Sequence, residues 1–291
     1  MFRPWRSFPL MAVLGLLIGL ATGGSPVYPK EISTLALIVA MTLALTEVRF
    51  EGVRPATELR AFAFALFWNY VVLTGLVLAF AFLTPDPDLR AGWVVMAAVP
   101  SAIAVIPLTS IFRGNVRSAL VSSALLYVAS LALFPAITLA FAGHAVSPTD
   151  IAVQTLLQIG VPLAASRALV RIPAMERWRA TGVNLSFLVL VAVVAGANRF
   201  AFADLGLVLS LSGAALLRTF GIGLLVLGLA TAARRDREDR IGWTLFASFK
   251  NLGLTALLAL SLFGPTAAIP AIVTLFHEIV WLVVLQKFFR A

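Results

Sequence analysis

Apolar residues in this sequence form long stretches separated by short clusters of proline, glycine and charged residues. A helix needs roughly 20 apolar residues to cross a bilayer, and most of the stretches approach or exceed that length. The pattern therefore predicts ten membrane-spanning segments, numbered 1 to 10 in chain order. The segments are 8–23, 31–48, 61–83, 90–112, 116–142, 149–170, 180–198, 204–232, 241–263 and 267–289.

Segments 4 and 9 contain residues that interrupt a helix. Segment 4 reads AVPSAIAVIP, where Pro100 and Pro107 remove backbone donors. Segment 9 reads SFKNLG, where Ser248 and Gly253 flank Lys250. Lipid cannot satisfy the backbone groups that such breaks expose, so broken helices are tolerated where they line a cavity. Ordinary kinks are the alternative, but the breaks occupy the fourth segment of each half, which favours a binding site.

The ten segments divide into two sets of five. A repeated unit with an odd number of spans inserts its second copy upside down, the inverted-repeat plan of many secondary transporters. We therefore predict an all-α polytopic membrane protein with two inverted five-helix repeats, residues 1–142 and 143–291.

Composition agrees with this class of protein. Hydrophobic residues make up 61% of the 291 residues and charged residues only 12%, whereas soluble domains carry roughly 25% charge. Cysteine is absent, which excludes disulfides and thiolate metal sites, and only two histidines are present. We expect neither a metal nor a cofactor.

The basic residues predict the orientation of the segments. With the N-terminus in the cytoplasm, the outside receives only Lys30, Arg90 and Arg199, while Arg218 and Lys250 fall inside the membrane. The other seventeen of the 22 basic residues lie inside the cell. This bias predicts that both termini are cytoplasmic. The inside set is Arg3, Arg6, Arg49, Arg54, Arg60, Arg113, Arg117, Arg167, Arg171, Arg177, Arg179, Arg234, Arg235, Arg237, Arg240, Lys287 and Arg290.

The same bias explains the net charge of +9, so we expect no nucleic-acid partner. The first segment has a positive start like that of a signal peptide, but it leads directly into a second span. We therefore expect it to be retained as the first helix. Strict positive-inside bias and the absence of cysteine fit a bacterial inner (plasma) membrane.

Three stretches resemble the bile acid:sodium symporter family. VPSAIAVIPLTSIFRGNVRSALVSSALLYVASLALFPAIT (99–138) is similar to the family's fourth and fifth helices. TLFASFKNLGLTALLAL (244–260) is similar to its ninth-helix crossing, and LFHEIVWLVV (275–284) to its tenth helix. The resemblance implies a transporter in which segments 4 and 9 cross. It implies a panel from about 8–48 and 149–198, and a core from about 61–142 and 204–289.

The resemblance also implies where sodium ligands would lie. Sodium-coupled members use a glutamate and a glutamine of the ninth helix, a Ser-Asn pair of the fourth and two hydroxyls of the fifth. A sodium ion needs several oxygen ligands, which apolar side chains do not supply. Sodium is therefore not an expected partner. The matching positions here are Phe246, Lys250, Val105, Ile106, Ala119 and Ser123.

Lys250 takes the position of one of these ligands. Its ammonium could replace the ion, and a tethered cation would draw no energy from a sodium gradient. It could instead exchange protons, because burial disfavours the charged form of a lysine, or attract an anionic substrate. A lysine that snorkels or pairs structurally is the remaining interpretation, although intramembrane ionisable residues are functional by default. Asn69 and Ser123 are further candidates at the ion positions.

Five residues are candidate substrate contacts. Glu278, the one acid placed inside the membrane, is predicted to pair with Lys250; the alternative is that it reaches a vestibule alone. Arg218 lies near the centre of segment 8, unless a register shift moves it to an interface. A packing role is the alternative for the histidine. The candidates are Asn251, His277, Glu278, Thr109 and Arg218.

These expectations lead to a secondary transporter that moves a small organic anion by alternating access, independently of sodium. Two interior cations exceed one interior acid by one charge, which an anionic substrate would offset. The alternatives are a sodium-coupled symporter with rebuilt ligands and a polytopic protein that does not transport; protons stay open as a coupling ion. The sequence has no GxxxxGK[ST] loop, and HEIVW places Trp281 where a zinc HExxH motif needs histidine, so we do not expect an enzyme.

Overall fold

The computed structural model describes residues 5, 7–47, 55–142 and 146–289. Over these ranges the chain is helical apart from connecting loops and one isolated backbone bridge. The predicted all-α membrane fold is confirmed at this level, while the ten spans and the inverted repeat stay predictions. Among the described residues, five helices are long and apolar enough to cross a membrane: Leu59–Leu83, Val116–Phe141, Met175–Ala197, Leu205–Ala232 and Pro265–Phe289.

Helices are numbered here in chain order. The first half contains α1 (Phe8–Thr22), α2 (Pro29–Leu45), α3 (Pro55–Leu66, Phe67–Leu73 and Thr74–Leu83), α4 (Pro87–Ala98), α5 (Val105–Ile111) and α6 (Val116–Phe141). The second contains α7 (Pro148–Thr155, Leu156–Gly160 and Val161–Leu169), α8 (Pro173–Ala197), α9 (Leu205–Leu216, Leu217–Gly221 and Ile222–Ala232), α10 (Arg237–Ser248), α11 (Leu252–Phe263) and α12 (Pro265–Phe289). The middle stretches of α3, α7 and α9 are π-helical.

Some predictions concern residues that the structure does not describe. Five of the predicted cytoplasmic arginines are in this group, as is position 143, where the second predicted repeat begins. The arginines that lie outside the described residues are Arg3, Arg6, Arg49, Arg54 and Arg290.

Helices α4 and α11 lie at the centre of the molecule. Helix α4 is buried continuously from Ala91 to Ala98, and α11 from Leu252 to Leu260. Helix α12 packs against both of them. A Cβ atom at Gly92 would overlap the carbonyl oxygen of Ala267, so α4 and α12 approach through their backbones. On the other side, α8 packs along α1 and α2 and also contacts α11 and α12.

Both predicted interruptions are present, at residues 99–104 and 249–251. Pro107 and Gly253, which were also predicted to break helices, lie in the first turns of α5 and α11, directly after the two interruptions. First-turn N–H groups have no partner within the helix, so proline is accommodated there. Gly253 permits close packing instead: a Cβ atom at this position would lie 2.8 Å from the Phe187 ring. Ser248 is the last residue of α10, as the predicted break requires.

Candidate functional site

The two interruptions lie side by side and hydrogen-bond to each other in a single antiparallel bridge. The N–H of Asn251 donates to the carbonyl of Pro100 at 3.0 Å, and the N–H of Ala102 donates to the carbonyl of Phe249 at 3.4 Å. Backbone groups that have lost their helical partners are thereby satisfied. The pairing also brings the ends of α4, α5, α10 and α11 to one point, called here the crossing.

Lys250 is fully buried at the crossing, with an exposed fraction of 0%. Its ammonium donates to Thr74 Oγ1 at 3.0 Å, to the carbonyl of Ala97 at 2.9 Å and to the carbonyl of Val99 at 2.8 Å. It also lies 4.7 Å from the centroid of the Tyr70 ring. The two carbonyls end α4, where the helix dipole is negative and partners within the helix are missing. All three ammonium protons are therefore used, two of them by carbonyl groups at the end of α4 and one by Thr74 of α3.

Helix α3 supports this arrangement through its π-helical stretch. Tyr70 lies in the stretch and donates its hydroxyl proton to the carbonyl of Ala98 at 3.3 Å. Thr74 follows the stretch and lies 2.7 Å from the carbonyl of Ala97. Asn69, from the same stretch, donates to the carbonyl of Phe246 at 3.1 Å. A π-helical turn changes which side chains share a helix face and is frequent at functional sites.

Arg218 and Glu278 form a second buried unit at the end of α10. Arg218 has an exposed fraction of 0%, and its Nη1 donates to Glu278 Oε1 at 2.6 Å. Its Nη2 donates to the carbonyl of Ser248 at 3.2 Å. Glu278 Oε1 also accepts the backbone N–H of Lys250 at 3.2 Å. The Glu278 carboxylate therefore bridges the Arg218 guanidinium and the backbone N–H of Lys250, which lies just before α11.

The predicted ion pair between the side chains of Lys250 and Glu278 is consequently wrong. Within the described part of the chain, the ion-pair partner of Glu278 is Arg218, and Lys250 reaches the carboxylate only through its backbone N–H. The physical reason is the direction in which the Lys250 side chain points. The lysine side chain points towards the carbonyl groups at the end of α4, where three acceptors are available.

Asn251 links the crossing to α6. Its Oδ1 accepts the N–H of Leu254 at 3.0 Å, which caps the start of α11. Its Nδ2 donates to the hydroxyl of Tyr127 at 2.6 Å, and Tyr127 donates to the carbonyl of Ser101 at 3.1 Å. Both ends of the amide are thus engaged by protein groups, which gives this candidate substrate residue a structural function in this conformer.

The other predicted residues lie at varying distances from this network. Thr109 donates to the carbonyl of Val105 at 2.7 Å, and His277 Nδ1 donates to the carbonyl of Val273 at 2.9 Å. Each is a bond within one helix, so these contacts do not join them to the crossing. Ser123 is buried on α6, and its hydroxyl has no hydrogen-bond partner among the described residues.

The sequence reasoning missed Tyr70, Thr74 and Tyr127. A buried hydroxyl is costly unless it is hydrogen-bonded, so each of these residues in an apolar segment was a signal for a polar contact. The signal does not reveal the partner. The acceptors at the end of α4 lie more than 20 residues away in sequence from Tyr70 and Thr74.

A small apolar pocket lies beside the crossing, between α8 and the start of α11. Its walls include Phe187 and Leu190 of α8, Leu252 and Gly253 of α11, and Leu275 of α12. Because the walls are apolar, contacts across this gap depend on packing and not on fixed hydrogen bonds.

Comparison with known proteins bears on the resemblance found in the sequence. Residues 31–289, most of the chain, match the SBF-like CPA transporter family. This match confirms the likeness to bile acid:sodium symporters that three stretches of sequence indicated. No curated protein matches the sequence.

Proposed function

The chain belongs to the SBF-like CPA transporter family, and from this premise we propose that it carries a small organic anion across the membrane by alternating access, without sodium coupling. Membership establishes a membrane transporter of a small molecule. The observation that carries the finer proposal is the Lys250 ammonium, whose three hydrogen bonds occupy the acceptors at the end of α4. A site filled by a tethered cation leaves no vacancy for a mobile one, so a sodium gradient cannot drive this carrier through it.

The charges at the crossing support an anionic substrate. Arg218 and Glu278 neutralise each other, which leaves the charge of Lys250 without an opposite charge among the described residues at the crossing. Charges act over longer distances in a low dielectric than in water. The field of Lys250 would therefore favour a substrate with one negative charge, even without direct contact.

The proposal includes ten spans in two inverted repeats, with both termini in the cytoplasm of a bacterial cell. In this orientation α4 and α11 form the outer halves of the crossing helices, and α5 and α10 form the inner halves. Helix α11 is buried along its contact with α8, whereas α5 exposes Pro107, Ser110 and Ile111. This difference supports a conformer that is closed on the outer side. Movement of the core along the apolar surface of α8 would open it.

Uptake into liposomes tests the proposal. The purified full-length protein would be reconstituted and offered a panel of labelled mono- and dicarboxylates, in sodium or in choline buffer. We expect uptake of at least one anion, equal in both buffers, and reduced uptake by Lys250→Gln. Uptake that sodium stimulates several-fold would contradict sodium independence, and failure of the whole panel would contradict the anion assignment.

A further inference from the structure

We propose that Arg218 is a second built-in cation, which occupies a latent monovalent-cation site at the end of α10. Lys250 and Arg218 then serve the two crossing helices in parallel, each at the end where carbonyl groups lack partners. The parallel with Lys250 rests on the proposed function. The proposed cation site at the end of α10 is supported by the contacts of Arg218 itself, with Glu278 and the Ser248 carbonyl.

The end of α10 is chemically similar to the end of α4. Helix α10 finishes at Ser248, whose carbonyl accepts from Arg218 Nη2 at 3.2 Å. The carbonyl of Phe246, two residues earlier, accepts from Asn69 at 3.1 Å. Because the last carbonyl groups of a helix form the negative end of its dipole, a cation is favourable there. The guanidinium supplies that charge from the π-helical stretch of α9, as α3 supplies polar groups to α4 from its own π-helical stretch.

The two sites differ in one respect, which is the carboxylate of Glu278. It lies 2.6 Å from the Arg218 guanidinium and has an exposed fraction of 6%. The acceptors around Lys250 are two carbonyls and one hydroxyl, which carry no formal charge. If the arginine side chain is removed, a buried carboxylate and the Ser248 carbonyl face a vacancy. Hard monovalent cations such as sodium prefer oxygen ligands, and a carboxylate adds charge attraction.

The inference predicts that Arg218→Ala gains a response to sodium. Losing one partner of a buried ion pair should lower the melting temperature of the purified full-length protein by roughly 10 °C in choline chloride. Sodium chloride at the same ionic strength should restore roughly 4 °C, if its concentration is about tenfold above the dissociation constant. The matched control is Arg218→Ala combined with Glu278→Gln, which lacks the carboxylate. It should melt above the single variant in choline and show no difference between the salts.

Three results would overturn the inference. The first is an Arg218→Ala variant that melts equally in sodium and choline, and the second is a double variant that responds to sodium as strongly as the single one. If Arg218→Ala does not fold, Arg218→Gln takes its place, and indifference of that variant to sodium is the third. All readouts are made without substrate. A failure of anion uptake would therefore remove the proposed function and leave this result standing, and the reverse also holds.

Discussion

The two interruptions exchange backbone hydrogen bonds in both directions, but their remaining polar groups differ in chemistry. The interruption at 99–104 follows the end of α4 and presents carbonyl groups, including that of Val99, which accepts from the Lys250 ammonium at 2.8 Å. The interruption at 249–251 presents donors, namely that ammonium, the backbone N–H of Lys250 and the amide of Asn251. The ammonium bonds to the carbonyl groups at the end of α4, whereas the N–H of Lys250 donates to Glu278 and the amide of Asn251 donates to Tyr127. A lysine is stable at this position because its ammonium contacts the end of a helix and not lipid.

The largest expected effect comes from breaking the Arg218–Glu278 ion pair, whose carboxylate accepts the Lys250 N–H of the interruption at 249–251. Glu278→Gln leaves the Arg218 guanidinium buried without an opposite charge, which should destabilise the protein by about 3–5 kcal/mol. Denaturant or thermal unfolding of the purified protein measures this loss. Arg218→Met together with Glu278→Gln should cost less than Glu278→Gln alone. Additive losses would contradict an ion pair between these two residues.

Removing the ammonium tests the contact between the interruptions directly. Lys250→Met keeps most of the apolar part of the side chain but removes the ammonium, which leaves the Val99 carbonyl buried without a donor, at a cost of about 1–3 kcal/mol. Lys287→Met is the matched control, because Lys287 is an exposed lysine near the end of α12, and its effect should stay within about 0.5 kcal/mol. Equal unfolding of the two variants would show that the Lys250 contacts contribute no stability.

An effect of comparable size at most is expected where α11 meets α8, beside the interruption at 249–251. Gly253→Ala introduces a methyl group 2.8 Å from the Phe187 ring, and overpacking of this kind costs about 1–3 kcal/mol unless the ring moves. Gly228→Ala is the control, because no atom outside its own helix turn lies within 4 Å of the added Cβ. That change should stabilise α9 by about 0.5–1 kcal/mol. Opposite signs are therefore expected, and equal signs would indicate that the close contact at Gly253 is relaxed.

The smallest effect should come from the link between Asn251 and α6. Tyr127→Phe removes the hydroxyl that accepts from Asn251 at 2.6 Å and donates to the Ser101 carbonyl at 3.1 Å. We expect a loss of about 1 kcal/mol, or somewhat more because both partners are buried. Thr109→Val is a useful reference, since in the described part of the chain that hydroxyl bonds only to a carbonyl of α5. A Tyr127→Phe variant as stable as Thr109→Val would show that the link is dispensable.

Local signals in the sequence were sufficient to locate the two interruptions. Pro100 and Lys250 each disturb an apolar segment, and both breaks occur beside them. Pro107 shows the limit of such a signal, because a proline breaks a helix interior but not a first turn. The family resemblance likewise required only ordered stretches of sequence, and the family match confirms it.

The partner of each charged side chain could not be obtained in this way. Arg218 and Glu278 are 60 residues apart, and their contact depends on the rotation of α9 and α12 about their axes. A π-helical stretch alters that rotation, and no residue in LRTFG indicates from the sequence that the stretch is π-helical. Lys250 and Glu278 were expected to pair because Glu278 was the one acid placed inside the membrane, and the family resemblance put both Glu278 and Asn251, the neighbour of Lys250, beside the substrate cavity. The groups that accept hydrogen bonds from the Lys250 ammonium include backbone carbonyls. Every residue has such a carbonyl, so the sequence does not single these out.

The most direct test of the account is the melting temperature of the wild-type protein in sodium chloride and in choline chloride at equal ionic strength. The account predicts the same melting temperature in both, because the Lys250 ammonium already occupies the acceptors at the end of α4. It also predicts that Lys250→Gln melts lower than wild type in both salts. Stabilisation of the wild type by several degrees in sodium would contradict the account, because it would require an open cation site beside a lysine that is said to fill it.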